Sequence, residues 1–157
     1  MRATVSSGMP RWYFEDFTPG LQLEGTGSTV TEKDIVAFAT QYDPQYFHVD
    51  AEAAKDSLFG ALCASGWHTA AMCMRMMCDA YLLDSASLGS PGIDQLRWVK
   101  PVFVNDTLHF KMTVEQQKPS QSKPHMGSVL AKWEVFNQKN ELVMHMTGWS
   151  MFRKRNP

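Results

Sequence analysis

The chain has 157 residues, 44% of them hydrophobic and 20% charged, with a formal net charge of −1. That length suits one domain, spanning residues 1–157 with a core over about 14–152, and it is enough to bury a substantial apolar interior. The composition excludes the disordered and fibrous classes, and the near-neutral charge removes any general attraction to nucleic acid or to an anionic membrane.

The three cysteines, Cys63, Cys73 and Cys78, have no CxxC spacing. Their odd number argues against a disulfide framework and for buried thiols in a reducing compartment. No apolar run of signal-peptide length opens the chain, so a cytoplasmic protein is expected.

Residues 1–11 read as a loose segment, and the aromatic stretch Trp12 to Phe17 as a flap packed on the domain. Pro19-Gly20 marks a turn. Leu21 to Val30 follows as a first strand, with Gly25 and Gly27 marking a bulge or bend. Thr31 is a helix cap with Asp34 three residues on. Ile35, Phe38, Ala39 and Tyr42 then recur on one helical face. Pro44 stops that helix near Tyr42 or Asp43, leaving residues 43–48 as an ordered connector, and Asp50 caps a second short helix.

The central stretch, Cys63 to Leu83, is rich in Ala, Met, Cys and Leu. It reads as a helix of about 18–20 residues, ~30 Å long, and its apolar groups on nearly every side predict a buried one. Ser65, Gly66, His68, Arg75 and Asp79 exclude a transmembrane span. Residues 84–92 form a turn-rich linker. Beyond them the period changes to two, with strands over Ile93 to Lys100, around Leu108 to Glu115, around Val129 to Phe136, and over Leu142 to Phe152, and with a hairpin turn at residues 137–140. Arg153-Lys154-Arg155 is a solvated tail.

Strands of about 8–11 residues are ~27–37 Å long, which matches the helix. The expected fold is α+β: a curved antiparallel sheet of about five strands wrapped lengthwise round one long helix, the hot-dog layout. An open sheet edge in such a layout calls for a second copy of the chain, as a homodimer or higher homo-oligomer.

Two constellations can carry chemistry. Asp43 and His48, five residues apart in a proline-restrained connector, can share one water and move its proton. On a purely structural reading Asp43 caps a helix end and His48 is an ordinary satisfied residue. Ser65-Gly66 opens the central helix, where free N–H groups and the positive dipole end meet, and glycine allows close approach of a carbonyl. The plainer reading of Gly66 is a tight helix entry. His68 reads as a hydrogen-bonded core residue, and the Met72, Met74, Met76, Met77 run as adaptable core. No zinc spacing, phosphate loop or dinucleotide fingerprint is present, so no metal and no cofactor is expected.

With TEKDIVAFATQYDPQYFH, VDAEAAKDSLFGALCASGWHTAAM and GIDQLRWVKPVFVNDTL in view, the chain resembles the MaoC-like acyl dehydratases, the (R)-specific enoyl-CoA hydratases, over about Phe14 to Phe152. The family motif Asp-x-Asn-Pro-aliphatic-His aligns its catalytic Asp and His with Asp43 and His48, and the family's oxyanion glycine with Gly66, beside Ser65. Gln45 stands where the motif has Asn, the proline is at Pro44 with Tyr46 in its usual place, and Phe47 replaces the aliphatic residue. The bulky Tyr46, Phe47 and Trp67 are candidates for shaping an acyl pocket.

The resemblance implies a hydro-lyase of fatty acid metabolism. It would take an acyl-CoA or acyl-carrier thioester as substrate and add water to a trans-2-enoyl group to give an (R)-3-hydroxyacyl thioester. Two other readings compete. A hot-dog thioesterase would release free thiol, and a non-catalytic acyl-thioester binding module would bind without turnover.

Overall fold

The computed structural model describes residues 8–156, so most of the loose opening segment lies outside the described residues. Strand β1 (Gln22–Thr29) is followed by helices α1 (Glu32–Tyr42), α2 (Tyr46–Val49), α3 (Ala51–Ala54) and α4 (Gly66–Ala80), then by strands β2 (Ser87–Gly89), β3 (Gln95–Trp98), β4 (Thr107–Pro119), β5 (Met126–Phe136) and β6 (Leu142–Arg153). The sheet is antiparallel in the order β1-β4-β5-β6, and β2 and β3 pair with different stretches of β6 along the same edge. Six strands therefore occupy five positions. The edge strand expected over residues 93–100 is shorter, and a second piece lies inside what reads as linker.

Local signals explain most element ends. Thr31 Oγ1 accepts from the Asp34 N–H at 3.1 Å, and Asp50 Oδ1 accepts from the Glu52 and Ala53 N–H groups at 3.0 Å, so both predicted caps form. The register of β1 shifts between Thr26 and Thr29, beside the two glycines. At Gly25 a Cβ would stand 2.6 Å from Cε1 of Phe110, so the strand's close approach to the core admits no larger residue. Along β5 buried and half-buried residues alternate, as a sheet partly covered on both faces requires.

The central helix departs from expectation in two ways. It ends after 15 residues at Ala80, ~22 Å at 1.5 Å per residue. Tyr81 leaves the helical region (φ −154°, ψ −32°) and a 3₁₀ turn, Leu82–Asp84, continues the path. Tyr81 is buried, its hydroxyl accepts from Nε1 of Trp133 at 3.0 Å, and its ring meets Phe17 edge-on at 6.0 Å. Anchoring that side chain between sheet and flap ends the helix without a glycine or proline.

Second, α4 is not buried all round. His68, Thr69, Cys73, Met76 and Met77 face the interior, whereas Trp67 (62% exposed) and Met74 (47% exposed) face outward. One sheet covers one side of a helix, and the outward side remains apolar and open.

The aromatic flap seals the far end: Phe17 is fully buried and stacks on Phe152 at 4.2 Å. Tyr42, placed by period on the core face of α1, is largely exposed and rests on Phe38 at 5.2 Å instead.

Candidate active site

Three elements converge at the N-terminal end of α4. The connector after α1 is not extended. Pro44 centres a three-residue turn, in which the Gln45 N–H donates to the Asp43 carbonyl at 2.8 Å, a geometry that suits the fixed φ of proline. Helix α2 then begins at Tyr46 and carries His48 inward, where it is buried.

The His48 ring is held by the backbone. Its Nδ1 lies 2.6 Å from the Cys63 carbonyl oxygen. A carbonyl can only accept, so Nδ1 carries a proton and Nε2 is the ring atom turned toward Asp43. The Cys63 carbonyl is fixed in turn, since its own N–H donates to Phe47 O at 3.2 Å and the next N–H, of Ala64, to Val102 O at 2.8 Å. Burial pushes the neighbouring Cys63 thiol up to about 11, which keeps it protonated.

His48 Nε2 faces Asp43 Oδ2 at 3.5 Å, too long for a direct hydrogen bond. Asp43 accepts from the Ser65 hydroxyl on Oδ2 at 2.6 Å and from the Gln45 side-chain amide on Oδ1 at 2.7 Å. Burial alone would raise the pKa of this carboxyl, but the Ser65 and Gln45 hydrogen bonds and the adjacent His48 outweigh it and hold it below the ordinary aspartate value. Asp43 is thus a carboxylate at neutral pH, and its Oδ2 and the His48 Nε2 stand close together. A water donating one hydrogen to each is the species such a pair can hold and activate.

Ser65 is the N-cap of α4, yet its side chain makes no bond to the helix amides. The first-turn N–H groups have no intrahelical partners by geometry, so the end of α4 beside Asp43 offers backbone donors and the positive end of the helix dipole. Gly66 is required there. A Cβ at that position would lie 2.4 Å from Cε2 and 2.6 Å from Cδ2 of Trp98, which reaches across from β3. A cavity of about 280 Å³ opens at this point, lined by His48, Phe59, Gly66, Thr69, Trp98 and Val102 among others.

Of the residues singled out by sequence, Asp43, His48, Ser65 and Gly66 come together. Phe47 is half-buried and packs edge-on against His48 at 4.5 Å. Tyr46 and Trp67 lie outside the cavity lining, and both are at least half exposed. Sequence reasoning missed three contributors. The Gln45 amide was visible only as a departure from the motif. The Cys63 carbonyl is backbone and leaves no sequence signal. Trp98 arrives from a distant strand.

His68 is buried against Phe38 in a face-to-face stack at 4.7 Å, but its Nδ1 has no hydrogen-bond partner among the described residues, contrary to the expectation of a satisfied core histidine. Burial lowers its pKa, against an opposing pull from Asp34, so the ring is neutral and tolerated by stacking. It lines a larger cavity, about 680 Å³ between β1, α1 and α4, whose walls do not include His48 or Gly66; Asp43 and Ser65 line neither cavity. Of the two, the smaller cavity is the one that His48 and Gly66 border.

Residues 17–133 match the family described as MaoC like domain, and the chain belongs to that family. Its fold is close to that of a MaoC-like dehydratase from Rhodospirillum rubrum, with 37% identity, a TM-score of 0.85, and coverage of 92% of this chain and 99% of that one. A monoamine oxidase regulatory protein from Archaeoglobus is similar at 33% identity and a TM-score of 0.83, over 94% and 99% of the two chains. A mesaconyl-CoA hydratase from Cereibacter sphaeroides is 38% identical over 65 residues, which is 41% of this chain and 19% of that protein. Among the described residues no helix is long and apolar enough to cross a membrane.

Proposed function

We propose that the protein is a hydratase/dehydratase of acyl thioesters, adding water to a trans-2-enoyl-CoA or enoyl-carrier thioester to give the (R)-3-hydroxyacyl thioester, or running the same path in reverse. The observation that carries this reading is the placement of Asp43 Oδ2 and His48 Nε2 at 3.5 Å, tied through Ser65 to the open end of α4. The substrate carbonyl accepts from the Gly66 N–H, where the helix dipole stabilises the negative charge that develops. The water oxygen bonds to C3 as one of its protons passes to the Asp43–His48 pair, and the π electrons move onto the thioester oxygen. The enolate then collapses as C2 takes a proton back from the same pair, so that one H and one OH have been added. Only protons and a water move, so the route calls for no redox group.

Support comes from the family and from a relative named as a hydratase of a CoA thioester. The similarity to a protein named as regulatory favours the binding-module reading instead, and turnover decides between the two. The outward apolar face of α4 and the free edge of β3 support a homodimer as the working form.

The test is an enoyl-CoA panel followed by loss of the enoyl absorbance, with free thiol assayed in parallel. Absorbance should fall without thiol release, and Asp43→Asn should lower kcat/KM by about 10²–10⁴-fold, the usual worth of a general base. Thiol release would replace the reading with a thioesterase. Binding without turnover at every chain length would leave only the binding module.

A further inference from the structure

The cavity at the end of α4 owes its shape to one residue that neither motif contains. Trp98 is the last residue of β3 and pairs with Met144 of β6 on the sheet edge. Its indole crosses to α4 so closely that no side chain fits on Gly66. The ring is held from the other side by Trp67, edge-on at 5.1 Å and 81°. It therefore cannot simply swing toward the outward face of α4 without moving a second indole.

The indole keeps 45% of its surface exposed. Elsewhere in the wall Phe59 packs on Phe47 at 5.1 Å, and Val102 is buried with its carbonyl bound to the Ala64 N–H. At about 280 Å³ this half-open space falls just below the roughly 300–1,000 Å³ of pockets that bury a drug-sized ligand.

We propose that Trp98 is the specificity-determining wall of this site, closing it to all but short-chain acyl thioesters. This rests on the hydratase reading for the position of the substrate. With the carbonyl at Gly66 and C3 facing Asp43 and His48, the acyl tail must pass along the wall that contains Phe59, Trp98 and Val102. The tail is then stopped by the indole. Trp67, on the outer side of that indole, acts only by holding it.

The experiment compares the wild-type protein with Trp98→Ala and Trp98→Phe, both checked for fold by circular dichroism. kcat/KM is measured for crotonyl-, hexenoyl-, octenoyl- and decenoyl-CoA, and binding of the unreactive butyryl- and octanoyl-CoA is measured by calorimetry. A methylene accepted or rejected by a pocket is worth about 10–200-fold. The wild type should therefore favour crotonyl-CoA, and Trp98→Ala should raise the octenoyl-to-crotonyl ratio at least about tenfold, with Trp98→Phe between them. An unchanged ratio in both folded variants overturns the proposal while leaving the hydratase standing. If no enoyl-CoA turns over but butyryl-CoA binds better than octanoyl-CoA, and Trp98→Ala reverses that order, the wall stands and the hydratase reading falls. Length-independent binding without turnover overturns both.

Discussion

Ser65→Ala separates the site from the helix it opens. Replacing an N-cap serine by alanine ordinarily costs a helix about 0.5–2 kcal/mol. Here that loss should be absent, because the Ser65 side chain does not cap α4 and donates at 2.6 Å to Asp43 Oδ2. What is lost is a hydrogen bond to a charged acceptor from a fully buried donor, worth about 1.5–3 kcal/mol. The bond stabilises the carboxylate and not the acid, so its removal raises the Asp43 pKa.

The acid limb of kcat/KM against pH reports the free enzyme's essential groups and should move to higher pH in the variant. A titration of the Asp43 carboxyl by ¹³C NMR reads the same shift without turnover. Stability follows the same sign. A carboxyl with a depressed folded-state pKa contributes stability above its unfolded pKa and loses it as pH falls through the folded value, so the variant should lose part of its advantage at neutral pH and little in acid. A limb and titration that stay in place while the melting temperature drops equally at all pH values would mean that Ser65 is an ordinary cap, and the reasoning about Asp43 would fail.

Two further outcomes test the surroundings. Gly66→Ala places a methyl 2.4 Å from Trp98 and should cost about 1–3 kcal/mol, as overpacking does. In the Gly66→Ala/Trp98→Ala double variant denaturant unfolding should recover most of that cost, and additive losses would refute the contact. Met74, outward on α4, is replaced by Lys: sedimentation velocity should show a dimer for the wild type and a monomer for Met74→Lys, because an unpaired ammonium is costly to bury, whereas an unchanged dimer would place the interface elsewhere.

The elements that could be read from sequence are those with a local cause. Thr31 and Asp50 cap the helices they announce, Pro44 ends α1, and the alternation around Leu108, Phe110, Met112 and Val114 appears as alternating burial along β4. The elements missed have causes at long range. β3 falls inside the strand expected over residues 93–100, but β2 was read as linker, because its three residues are all exposed and pair only with β6. Helix α2 is a single turn, too short for any period. The stop at Tyr81 is set by Trp133 and Phe17, which lie far away in sequence. The Asp43–His48 pair was legible because its spacing is short and local. The carbonyl that orients His48, and the indole against Gly66, were not.

The departures from the family motif look different once their bonds are drawn. Gln45 begins α2 as Ser65 begins α4, and neither side chain caps its own helix. Both donate to Asp43, one to each carboxylate oxygen. A serine normally caps the helix it begins; here its hydroxyl and the Gln45 amide instead hold one carboxylate charged in a mostly buried place. The early proline makes this possible. By turning the chain at residue 44 it brings Gln45 back over Asp43, so an amide two residues along can reach the side chain that precedes the turn. The substitutions at positions 44 and 45 therefore act as a pair: Pro44 supplies the turn and Gln45 the donor. The wider ring at Phe47 does not enter this network; it packs against the face of His48 whose edge is already fixed by Cys63. The motif has changed its residues while keeping an ionised carboxylate opposite an imidazole of fixed tautomer.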